Sequence, residues 1–206
     1  MLNRPGKVTP MIFSAVLAAA GLSALAFPEP DIVSKSWQLD VTYQHPRVIA
    51  IKGIDGRTHW YWYLTYKVVN HTGQERFFMP EVTIATDRGD IITAGVNVPA
   101  SVFTAIREKL DNPLLENPID VVDKILQGPD MARESVAIWP AFDHDVDRMD
   151  VFFTGLSGET KVVTHPLTGE PIPLRKTLML QYDTPGTGTH PQDQALLLRD
   201  ETWIMR

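Results

Sequence analysis

Asp143, Asp145, Asp147 and Asp150 crowd around His144 and Arg148 in one short stretch. Acids at alternate positions imitate the start of a calcium loop, because hard Ca²⁺ takes clustered carboxylate oxygens. The imitation stops there. An EF-hand loop needs glycine at its sixth position and glutamate at its twelfth, and counting from Asp143 these are Arg148 and Thr154. A cation inside would also meet the Arg148 guanidinium. The stretch reads as a solvated acidic turn between strands. Asp143, Asp145 and Asp147 are the metal candidates, and no resident cofactor is expected.

Nucleophilic chemistry has one near miss. Gly155, Ser157 and Gly158 approach the Gly-x-Ser-x-Gly elbow, but Glu159 holds the final glycine position and no helix pattern follows. The chain has six histidines without His-x-His or His-Glu-x-x-His spacing, so zinc chemistry finds no support. His45, His165 and His190 each precede proline, which favours extended or turn backbone. The absence of cysteine removes disulfides, thiolate ligands and cysteine nucleophiles. A pair of carboxylates joined only by the fold would leave no signature, and nothing points to one. The expectation is a protein that recognises rather than catalyses, with an enzyme built on Asp143, Asp145 and Asp147 as the remote alternative.

Recognition residues are concentrated in residues 59–71, where two of the five Trp and three of the five Tyr fall. Aromatic and β-branched residues fit a pleated surface, so this is a long strand. Alternation puts Trp60, Trp62, Leu64, Tyr66 and Val68 on a core face and Tyr61, Tyr63 and Thr65 on the other. If the second face is open, Tyr61 and Tyr63, with His59 at the strand end, contact a protein or stack on a sugar. The competing reading covers both faces, with an opposite sheet and with a helical insertion. We favour it, because large exposed apolar patches are uncommon on soluble monomers.

The elements around this strand are mostly extended. Alternating patterns mark strands near 37–43, 48–52, 77–86, 91–98, 135–142, 149–155, 161–164, 174–182 and 202–205. Between two of them Arg88, Gly89 and Asp90 spell a tripeptide read by adhesion receptors, but a hairpin turn with Gly89 at positive φ explains it. Asn70, His71 and Thr72 form a glycosylation sequon. Residues 99–127 differ. Val102, Phe103, Ile106 and Leu110 have helical spacing, and a second short helix is expected over 119–126. About nine strands with regular turns predict an antiparallel, immunoglobulin-like β-sandwich over 37–206, carrying a two-helix insertion at 99–127.

Arg4 and Lys7 precede an uncharged apolar run over 11–26 that ends in Ala24, Leu25 and Ala26. This is the pattern of a signal peptide over 1–26 with cleavage after Ala26, followed by a linker at 27–36. The run is short of the roughly 20 residues a spanning helix needs, so membrane association is expected only if 11–26 is retained as an anchor. The formal net charge is −6, and cleavage would remove two bases and no acid. Nucleic acid is therefore not an expected partner.

Trp62 to Gly73, Phe78 to Pro80, Ser135 to Trp139, Val151 to Ser157 and the terminal Trp203 to Arg206 together resemble uncharacterised exported proteins of planctomycete-type bacteria. That resemblance implies an exported immunoglobulin-like sandwich with no catalytic residues to carry over. The expectation is a non-enzymatic structural or interaction module in the periplasm, on the cell surface or outside the cell. Its partner would be another envelope or extracellular protein. The alternative is a carbohydrate or small-ligand module using the same aromatics.

Overall fold

The computed structural model describes residues 36–142, 146–184 and 194–206. The first half holds strands β1 (Asp40–Tyr43), β2 (Arg47–Lys52), β3 (Thr58–Val69), β4 (Arg76–Phe78), β5 (Glu81–Thr86) and β6 (Ile91–Thr93). Helix α1 (Ala100–Leu110) and strand β7 (Asp123–Ile125) follow. The second half holds β8 (Arg133–Pro140), β9 (Arg148–Thr154), β10 (Thr160–Thr164), β11 (Pro171–Asp183) and β12 (Leu197–Met205).

The aromatic strand β3 is the centre of the first sheet. β8 pairs along one edge, while β1 and β2 share the other, against Tyr66–Val69 and Thr58–Tyr63 respectively. β1 and β2 are in effect one strand interrupted at His45 and Pro46, since proline has no N–H to give the ladder. The Gln44 N–H donates to the Thr65 carbonyl at 2.8 Å and carries the pairing across the break. The second sheet is built on β11, with β12 on one edge and β9 on the other, then β5 and β6 beyond β9. β10 pairs with the first part of β11.

The two antiparallel sheets pack as a sandwich. Trp62, Leu64, Tyr66 and Val68 of β3 meet Val82, Ile84, Val151, Phe153, Leu178 and Leu180. Tyr66 stands edge-on to Phe153, with ring centroids 4.7 Å apart. Each such side chain contributes roughly 1.5–3 kcal/mol by leaving water. Helix α1 covers the opposite face of the first sheet, where Val102, Phe103 and Ile106 pack on Ile49, Tyr61, Tyr63, Val136 and Ile138.

Several expectations need correction. Among the described residues there are twelve strands rather than nine, and α1 is the only α-helix. The second helix expected over 119–126 is a turn followed by β7. Asn117 holds the turn through its side chain, which accepts the Ile119 N–H at 2.9 Å, and only Asp123–Ile125 extend to pair with β4. Met79 and Pro80 split the expected 77–86 strand into β4 and β5. The 91–98 strand ends at Thr93, because the chain there crosses between sheets. Ala94 N–H bonds Val82 and Gly95 N–H bonds Ile138.

Candidate functional site

The alternation predicted for residues 59–71 is the alternation observed, and the favoured reading holds: the Tyr61 and Tyr63 face is closed by the helix. Tyr61 and Tyr63 are only 7% and 3% exposed, beneath α1. The helix covers them because its own apolar stripe has no other surface to bury against. The open end of the strand lies on the other face instead: Trp60, expected in the core, is 41% exposed. It sits one register step beyond the last sandwich layer. His59 stays near solvent, with Nε2 3.0 Å from the Asp55 carboxylate. The fold therefore does not bring Tyr61, Tyr63 and His59 together as a contact surface.

Asp143 and Asp145 lie outside the described residues, as do the expected leader and its cleavage point after Ala26. Asp147 is described, and its backbone is engaged. Its N–H points to the Asp87 carboxylate at 3.4 Å and its carbonyl accepts the Thr184 N–H at 2.8 Å. Ser157 holds a turn: its hydroxyl donates to the Trp37 carbonyl at 2.9 Å and accepts the Glu159 N–H. Arg88, Gly89 and Asp90 form the β5–β6 hairpin turn, with Gly89 at φ 92°. Asn70 is fully buried, and its amide donates to the carbonyls of Gln74 and Ile125, both at 2.8 Å.

One titratable cluster lies where β1 breaks. The Tyr43 hydroxyl donates to Glu201 Oε2 at 2.6 Å, and His45 Nδ1 is 3.3 Å from the Tyr182 hydroxyl. Burial holds both phenols well above their ordinary range, Glu201 adding to it at each and Tyr43 at Tyr182. Such phenols stay protonated and act as donors, not as bases or nucleophiles.

The feature missed in the sequence is the ribbon of β4 and β7. Cross-strand register sets Phe77 opposite Lys124, with Phe78 opposite Asp123. One face of the ribbon is anchored in the core by Phe78, Ile125 and the nearby Val121. The other face presents Phe77 and Met79, 60% and 55% exposed, together with Val122 and Leu126. Lys124 crosses this surface to Glu75 at 2.7 Å. Val122 and Leu126 fall in the segment expected to be a second helix. Comparison of the chain with protein-family models, curated proteins and solved structures found no match.

Proposed function

We propose that the protein is an exported, non-enzymatic interaction module of the cell envelope, which engages another protein through the outer face of the β4–β7 ribbon. The sandwich, read as immunoglobulin-like, is the frame that holds this face. The observation supporting the reading is the exposed set Phe77, Met79, Val122 and Leu126 on a backbone pinned from behind. Solitary exposed apolar residues are ordinary, but four on one face of an anchored ribbon, around the Lys124–Glu75 pair, favour a contact surface. Aromatic and methionine side chains are also the types that interface centres favour. The Asn70 amide bonds and the buried Phe78 and Ile125 make the ribbon rigid, so docking costs little ordering entropy.

A photo-crosslinking side chain placed at position 77 tests this in envelope fractions of the source cell. The expected result is one defined adduct from position 77, none from position 161 on β10, and loss of the adduct with Met79→Asp. Equal labelling from both positions, or none from either, would overturn the reading.

A further inference from the structure

The face of the second sheet that points away from the core is polar at one end and apolar in its middle. Ile84, Val151 and Leu180 are core residues, so their strand neighbours Ala85, Asp150 and Gln181 point outward. Register places these three and Asp200 side by side across β5, β9, β11 and β12. One step along, Asp87, Arg148 and Asp183 repeat the row. The Asp87 N–H bonds the Arg148 carbonyl, and Asp183 pairs with Arg148 in register. The two rows enclose a cleft of about 460 Å³.

Three details make this a shaped site rather than a charged surface. Ala85 is the one small side chain in its row, and it leaves the floor open beside Asp150. The Gln181 amide donates to Asp150 Oδ1 at 3.0 Å, which fixes its carbonyl oxygen as an acceptor for something else. The ladder between β11 and β12 slips at Gln181 and Tyr182, leaving Arg199 as the extra residue on β12. A bulge of this kind re-aims a side chain, and Arg199 reaches the cleft rim, 3.5 Å from Asp183.

We propose that this cleft binds a neutral glycan. Its walls offer donors from Arg148 and Arg199 and acceptors from Asp150, Gln181 and Asp200, set at strand spacings of about 4.8 Å. A ligand meeting them must both donate and accept at several nearby points, as a ring of hydroxyls does. An anion would face three carboxylates in the lining, and a cation would face two guanidinium groups. This site lies apart from the ribbon and does not rest on the ribbon's role.

Titration of the full-length chain with cellohexaose, maltohexaose and chitohexaose, followed by calorimetry, decides the matter. At least one of them is expected to bind. Ala85→Trp, which fills the floor, and Arg148→Ala, on an exposed position, should each weaken that binding tenfold or more. Phe77→Asp on the ribbon should leave it unchanged. Binding of none of the three, or binding that survives both cleft variants, would overturn the proposal.

Discussion

Two glycines of the Gly155–Gly158 turn show how single residues set this structure. Gly155 has φ 91°, and a Cβ there would lie 2.3 Å from the Met79 carbonyl oxygen. The obstacle is backbone, at the junction of β4 and β5, so nothing flexible can yield. Gly155→Ala is expected to destabilise the fold by about 2–4 kcal/mol, read as a lower denaturation midpoint at unchanged slope. Gly158 is needed for a different reason, because a Cβ would enter the Trp37 indole. Asn70 makes the same point with polarity. Asn70→Asp replaces a buried donor by an acceptor facing two carbonyls, and should cost about 2–4 kcal/mol by the same measurement. Residue types alone do not give these roles: a turn at Gly155–Gly158 and turn residues at Asn70–Gly73 are legible, but not the backbone, indole and carbonyls that they meet.

At the scale of elements, adjacent residues on β4 separate anchoring from display. Phe78 is fully buried and Phe77 points out. Phe78→Ala should therefore cost about 3–5 kcal/mol, while Phe77→Ser should change stability by less than about 0.5 kcal/mol in urea melts. A large loss for Phe77→Ser would mean that the outer ribbon face is structural and has no surface to offer. Helix α1 was legible because Val102, Phe103, Ile106 and Leu110 keep helical spacing over about two turns. In the 119–126 segment the buried Val121 and Ile125 are four apart, a spacing that does not separate a helix from a turn leading into a strand. Short ribbons depend on partners far along the chain, and β4 meets β7 across more than forty residues. Ile106→Ala, beneath the helix, is expected to lose about 2–5 kcal/mol and to speed amide exchange in α1 ahead of β3.

The whole molecule couples its core to pH through tyrosine. Period-two alternation was enough to place the inner faces of both sheets, even in β3, which buries its second side beneath α1. The sequence has no comparable signal for which sheet edges meet, and that is what assembles Tyr43, Tyr182 and Glu201 from opposite ends of the chain. Burial raises the phenols of Tyr43, Tyr66 and Tyr182 above their ordinary value of 10.0; Glu201 reinforces it at Tyr43 and Tyr182, while at Tyr66 burial outweighs the opposing Ser135 hydrogen bond. Below that value folded and unfolded chains hold the same phenolic protons, so the contribution is fully present. Above it the unfolded chain binds fewer protons than the native one, and stability falls as pH climbs toward the folded values. Tyr66 and Tyr182 are buried in the sandwich, where a phenolate is strongly disfavoured, so their protons should leave only as it opens; Tyr43 is partly buried at its margin. Alkaline titration should therefore show phenolate absorbance rising in two stages, the second coincident with loss of the β-sheet circular dichroism. Ionisation of all five tyrosines with the sheet signal intact would contradict the arrangement, and Tyr66→Phe should shift the second stage to higher pH.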